Sequence, residues 1–214
     1  MPGASQSGEA ENARIMLGLL DSVEREGAKS QRRLAAELGI ALGLVNAYLK
    51  RCVKKGLVKV RQAPARSYAY YITPQGFSEK SRLTVEYLSS SFSFFRQAKG
   101  ECSELFRAAK ENGVQTVVLV GQSDLAEIAA LCAIEHSVDI VGVVEAQRTS
   151  GQFIGFPVFA RLDEIPRSFD AALITSVRNA RQVYEDTVAQ CGDRRVLVPQ
   201  LLRISQPKQN GMPT

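Results

Sequence analysis

The sequence predicts a mixed α/β chain: an N-terminal winged helix of α+β type, a helical linker, and a C-terminal Rossmann-like parallel sheet. Three observations carry this reading. Residues 30–66, SQRRLAAELGIALGLVNAYLKRCVKKGLVKVRQAPAR, read as helix, tight turn, helix and basic β-ribbon. Residues 74–112 keep a helical pattern of unusual aromatic weight. From Gly113 onward, continuous apolar runs such as VQTVVLV and VDIVGVV alternate with helical stretches. Alternation of that kind belongs to a parallel sheet buried on both faces.

Residues 1–12 are small and polar and lack the apolar core of a signal peptide, so a disordered tail is expected there. The winged helix-turn-helix is expected over 13–73. Its first helix, 13–26, turns Ile15, Leu19, Leu20 and Val23 inward. Ser30 is suited to cap the next helix, and Leu34, Ala35 and Leu38 give that helix its inward stripe. Gly39 permits the φ > 0 turn of a short helix–helix connection. Val45, Leu49, Cys52 and Val53 form the back of the following helix; Gly43, Asn46, Lys50, Arg51 and Lys54 form its front, and Gly56 stops it. A packed back with an amide-and-cation front suits the major groove of DNA. The alternative is a helical hairpin with a solvated charged face, but a basic ribbon follows directly. Residues 57–61 and 68–72 are β-formers, and Gln62-Ala63-Pro64-Ala65-Arg66-Ser67 between them is a turn with a cation at its tip, a wing. The expected partner is double-stranded DNA, met by Ser30, Arg32, Leu42, Gly43, Asn46, Lys50, Arg51, Lys54, Arg61 and Arg66.

Thr73 as cap and Pro74 in the first turn begin the linker, expected over 74–112 as one helix to about Lys99 and another over 101–112, ended by Gly113. Phe77, Leu83, Tyr87, Leu88, Phe92, Phe94, Phe95, Leu105 and Phe106 make it too apolar for a solvated connection. They serve either as core or as the interface of a homodimer. The homodimer is expected, because readers of this type use two half-sites.

The third region, 113–202, is expected to hold strands at 114–120, 138–144, 157–159, 171–175 and 196–198. Helices are expected at 123–137 and 179–191, with a helical turn at 162–165. Residues 203–214 are polar and expected to be disordered. The first strand ends in Gly121-Gln122-Ser123-Asp124-Leu125-Ala126, a relaxed form of the Gly-x-Gly-x-x-Gly/Ala fingerprint. Gly121 allows the tight turn, Ser123 lets backbone approach a phosphate, and Ala126 keeps helix close to strand. A helix N-terminus favours anions, although Asp124 opposes this locally. Glu145 ends the second strand 24 residues after Gly121, where an acid takes ribose hydroxyls, and Arg148 follows within reach of a phosphate. The expected ligand-binding set is Gly121, Gln122, Ser123, Asp124, Glu145 and Arg148. The alternative is a strand–turn–helix that binds nothing.

Charge is uneven. Residues 1–74 hold twelve Lys or Arg against six Asp or Glu; residues 75–214 hold fifteen against sixteen. A basic domain beside a neutral one is the electrostatic footprint of nucleic-acid binding. No apolar run approaches about 18 residues, so no membrane span is expected. Cys52, Cys102, Cys132 and Cys191 are far apart and His136 is the single histidine, so no metal site is expected. Four core-packing thiols suit a cytoplasmic protein. No nucleophile–base–acid set appears, so catalytic residues are expected to be absent and the chain is read as no enzyme.

Residues 12–105 resemble the winged-helix, MarR-like regulators associated with exopolysaccharide gene clusters, through SQRRLAAELGIALGLVNAYLKRCVKKGLVK and AYYITPQGFSEKSRLTVEYL. The run Thr73-Pro74-x-Gly76, then Glu79-Lys80-x-Arg82-Leu83-Thr84, is distinctive of that group. Ala41 stands where that family commonly has serine, and Leu44 where it has a polar or basic residue. Residues 114–200 resemble the small Rossmann-like domain at the front of bacterial sugar acyltransferases, through VVLVGQSDLAEIA, VDIVGVVE, GFPVFARLDEIP and FDAALIT. Gln122-Ser123-Asp124 replaces the usual Gly-Gly-His. Together the resemblances imply a transcriptional regulator of surface-polysaccharide genes that needs no cofactor and responds to a nucleotide-sugar effector. Two alternatives stay open: a winged-helix regulator sensing a redox dinucleotide, and a sugar-nucleotide enzyme with an accessory DNA-binding domain.

Overall fold

The computed structural model describes residues 3–26, 30–63, 67–147 and 151–204. The chain divides into two compact units, Met1–Phe92 and Ser93–Thr214. The N-terminal unit is a winged helix and the C-terminal unit a mostly parallel sheet with helices, so the predicted mixed α/β class holds.

In the first unit, α1 (Gly3–Arg25), α2 (Gln31–Leu38) and α3 (Leu42–Lys54) precede a hairpin of β1 (Val58–Ala63) and β2 (Ser67–Ile72), paired from Val58–Ile72 to Ala63–Ser67. Ser30 caps α2, its Oγ accepting from Arg33 N at 3.3 Å. Gly39 ends that helix in the left-handed region at φ +63°. The core joins Ile15, Met16, Leu19, Leu20 and Val23 of α1 to Leu34, to Val45, Leu49 and Cys52 of α3, and to Val58 and Tyr70 of the ribbon. Each large side chain buried this way stabilises the unit by about 1.5–3 kcal/mol.

Two expectations change here. The first helix starts at Gly3, not Ala13. Its added turns bring Asn12, whose Oδ1 accepts from the buried Tyr48 hydroxyl. Tyr48 also displaces Val53 from the inward stripe. At about 100° per residue, Val45, Tyr48, Leu49 and Cys52 centre the buried face, and Val53 falls on its flank, exposed.

The linker is a single helix, α4 (Pro74–Glu111), where two had been expected around Gly100. Its residues to Phe92 belong to the first unit and the rest to the second. Ala98, Cys102 and Phe106 recur at helical spacing across Gly100 and are buried in the second unit's core, and Ala109 one turn on is buried too. That packing outweighs the roughly 0.5–1 kcal/mol by which a mid-helix glycine weakens a helix.

The second unit is a six-stranded sheet of order β5-β6-β4-β3-β7-β8. Its elements are β3 (Thr116–Val120), α5 (Asp124–Glu135), β4 (Asp139–Val144), β5 (Gln152–Phe153), β6 (Phe156–Phe159), β7 (Ala171–Ile174), α6 (Ala180–Cys191) and β8 (Val196–Leu197). All pairs are parallel except the short β5–β6 hairpin, which the sequence reading missed. Val117, Leu119, Ile140 and Leu173 pack with α4 and α5. Val118, Val120, Ala172 and Ile174 pack with Tyr184 of α6. Central β3 is flanked by β4 on one side and β7 on the other, so chain order reverses between β3 and β7. Ligands of open α/β sheets bind outside the carboxyl ends of the strands at such a reversal.

Candidate functional site

The first candidate is the outward side of α3. Opposite its buried face, Gly43, Ala47, Lys50 and Lys54 line up, all exposed, with Asn46 half-buried at the edge and Arg51 on the flank. Leu42 and Leu44 are exposed on the first turn. Ala41 at the N-cap makes no side-chain hydrogen bond. Arg32 is exposed on α2, while Ser30 is committed to its cap. On the ribbon, Lys59 and Arg61 are exposed and pair in register with Tyr71 and Ala69. Arg66 at the wing tip lies outside the described residues. What the geometry supplies is a cationic, partly flat helix face beside a cationic ribbon, held by an apolar core.

Thr73, read from the sequence as the cap of α4, also ties that helix to the ribbon. Thr73 Oγ1 accepts from Gly76 N at 3.0 Å and donates to Gly56 O at 2.6 Å. Thr73 N donates to Leu57 O at 3.0 Å. The signal was present in Thr73-Pro74-x-Gly76, a cap followed by a residue without Cβ.

The second candidate is the turn after β3. Gly121 adopts φ +113°, and a Cβ there would lie 2.4 Å from Ser176 N. Gln122 N donates to Glu145 Oε2 at 3.0 Å, and Gln147 N to Glu145 Oε1 at 3.4 Å. Ser123 caps α5, accepting from Leu125 N at 3.1 Å, and donates to Thr175 O at 2.6 Å. The buried Thr175 hydroxyl donates to Gly121 O at 2.6 Å. The fold therefore brings Gly121, Gln122, Ser123 and Glu145 together, with Asp124 exposed at the start of α5. In this state, however, Glu145 sits on the amide that would meet a phosphate, and Ser123 is spent on cap and carbonyl. Arg148 lies outside the described residues. Thr175 and Ser176, which close the β3–β7 crevice, carried no sequence signal, since contact across sheet neighbours is invisible to spacing along the chain.

A cavity of about 630 Å³ lies elsewhere in this unit, between α4 and β8, lined by Leu105, Val196, Val198, Pro199 and Ile204 with Glu101 and Arg194 among its charged groups. Burial pushes the Cys52 thiol up to about 11 and the Cys102 thiol up to about 12. Thiols held that far above neutrality are inert core groups. Among the described residues no helix is long and apolar enough to cross a membrane.

Residues 13–59 match a family model described as winged helix-turn-helix DNA-binding. Among solved structures, a MarR family transcription regulator matches at 18% identity and TM-score 0.36, over 42% of this chain and 66% of its own length. Human N-acetylserotonin methyltransferase in complex with SAM matches at 12% identity and TM-score 0.30, over 90% of this chain and 77% of its own. PigF with SAH matches at 14% identity and TM-score 0.25, over 90% and 57%. No curated protein matches. The family model agrees with the α3 geometry that residues 13–59 form a DNA-binding winged helix-turn-helix. One expectation is withdrawn: the reading of the chain as no enzyme rested on the want of a nucleophile–base–acid set. Group transfer from a bound cosubstrate rests on positioning, not on such a set, so its absence was no ground for that reading. At these TM-scores the likeness says nothing of this chain's own activity.

Proposed function

We propose that the chain is a transcriptional regulator that binds duplex DNA through α3 and the β1–β2 ribbon. The observation that carries this reading is the side of α3 opposite the core, where Lys50 and Lys54 align with Gly43 and Ala47 beside exposed Lys59 and Arg61. The regulator acts as a homodimer through the first unit's part of α4, which leaves Val85, Leu88 and Phe92 exposed at three- and four-residue spacing. Its targets are surface-polysaccharide genes, by the resemblance carried on Thr73-Pro74-x-Gly76 and the residues after it. Its effector is a nucleotide-linked metabolite over Gly121 to Asp124. For a phosphate to take the Gln122 amide, Glu145 must release it and turn to the ribose.

Titration of the full chain against a labelled random duplex tests the first step. Phosphate contacts make log K fall linearly with log salt, by about 0.9 per phosphate neutralised; binding that is absent at low salt refutes the reading. A thermal-shift screen of nucleotide sugars and dinucleotides tests the effector, since a ligand at 100 times its Kd stabilises by about 2.7 kcal/mol. No shift with any of them removes the sensing role.

A further inference from the structure

We propose that the recognition helix reads A·T base pairs: Leu42 and Leu44 pack on thymine methyls, Asn46 takes an adenine edge, and Gly43 with Ala47 lets the helix backbone approach. This rests on the DNA-binding reading above and adds the class of base that is read.

The N-terminal residues of a recognition helix are those that meet base edges. Here that stretch, residues 42–49, is LGLVNAYL and holds no cation. The commonest specific contact to guanine is a bidentate Arg or Lys, and the first such side chain, Lys50, comes after it. Leu42 and Leu44 are 39% and 41% exposed on the first turn of α3, one on either flank of the side that carries Gly43, Ala47, Lys50 and Lys54. Among the described residues neither belongs to the unit's buried core, and the apolar group a major groove offers is the C5-methyl of thymine. Asn46 sits half-buried between Leu42 and Lys50 along the helix, and its amide can both accept from N6 and donate to N7 of adenine. A Cβ added at Gly43 would meet nothing within 4 Å. Glycine inside a helix weakens it, and no neighbour among the described residues requires glycine here. A close surface outside the chain would. Lys50, Arg51 and Lys54, further along, are then left to the phosphates that set register.

The test selects sites for the full chain from randomised duplexes, then replaces thymine by uracil in the selected site, which removes the C5-methyl and keeps the pairing. The expected site has A·T pairs at the centre of each half-site. Each methyl that is read should cost about fourfold in affinity when removed, from the burial of one carbon. Leu44→Ala, at an exposed position, should erase the thymine–uracil difference at one base pair. A G·C centre, or equal affinity for thymine and uracil duplexes, overturns the base assignment while DNA binding stands. No binding to any duplex at low salt overturns both.

Discussion

Replacing Gly76 by alanine sets two effects of opposite sign against each other. Gly76 lies in the first turn of α4, where alanine gains about 1 kcal/mol of helix propensity over glycine. Its added Cβ, however, would stand 2.0 Å from the Leu57 carbonyl oxygen and 2.9 Å from Ile72 Cγ1. Neither neighbour is a free side-chain end. Leu57 is buried, and its carbonyl already accepts from Thr73 N at 3.0 Å. Moving α4 off the ribbon therefore strains the packing by about 1–3 kcal/mol and loosens a buried hydrogen bond with a net value of about 1 kcal/mol. The clash wins by about 1–3 kcal/mol. For a unit of this size each kcal/mol moves Tm by about 4–8 °C, so Gly76→Ala should lower the melting of the N-terminal unit by about 5–20 °C. Circular dichroism on heating follows the whole chain, and loss of duplex binding on heating follows this unit alone. Gly43→Ala and Gly100→Ala are the controls, because an added Cβ meets nothing within 4 Å at either site; both should leave Tm unchanged or raise it. A Gly76→Ala protein that melts at or above the parent temperature refutes the steric reasoning.

Lys50→Ala with Lys54→Ala should weaken binding to specific and random duplex alike and reduce the salt slope by about 0.9 for each phosphate no longer neutralised; an unchanged slope in a fluorescence titration would take both lysines off the DNA. Leu88→Asp with Phe92→Asp should yield monomers in sedimentation, since aspartates in an apolar interface lose their hydration, and a double variant with the parent's mass would clear α4 of dimerisation. Asp170 accepts from Gln115 N, Thr116 N and Thr116 Oγ1, at 2.9, 2.8 and 2.8 Å, which holds its carboxyl below the usual 3.8. A depressed folded-state value contributes stability above the unfolded value and loses it as pH falls through the folded one. Asp170→Asn should therefore destabilise at neutral pH and show a shrinking deficit under acid, and an equal deficit in urea midpoint at both pH values would exclude the ionised carboxylate as the cause.

Much of the architecture was legible because its signals are local. Ser30 as cap, Gly39 at positive φ and the run VVLV of β3 each depend on a few neighbouring residues, and each appears in place. The misses are tertiary. Gly100 reads as a helix end by propensity, and the helix continues because Ala98, Cys102 and Phe106 are buried on either side of it. Tyr48 is absent from the inward stripe assigned to α3 by spacing, and it goes inward with Asn12, on another helix, taking its hydroxyl. The β5–β6 hairpin is only two residue pairs long, below what alternation can signal.

The turn after β3 shows the same division at the level of chemistry. Spacing placed Gly121 and Glu145 at neighbouring strand ends, and Gly121 N indeed donates to Val144 O at 2.8 Å. Spacing could not show what those groups do once adjacent. A glutamate beside a free backbone amide forms the charge-assisted bond a phosphate would form, and here Glu145 takes Gln122 N. A serine in place of the fingerprint's middle glycine brings a hydroxyl that caps α5 and reaches Thr175. The acid that fits the fingerprint and the serine that departs from it thus each add an internal partner at the place where a ligand's own oxygens would bind. A phosphate at this turn would have to displace the bond Glu145 already makes to Gln122 N, so the proposed effector would bind favourably only where the displaced carboxylate gains ribose hydroxyls.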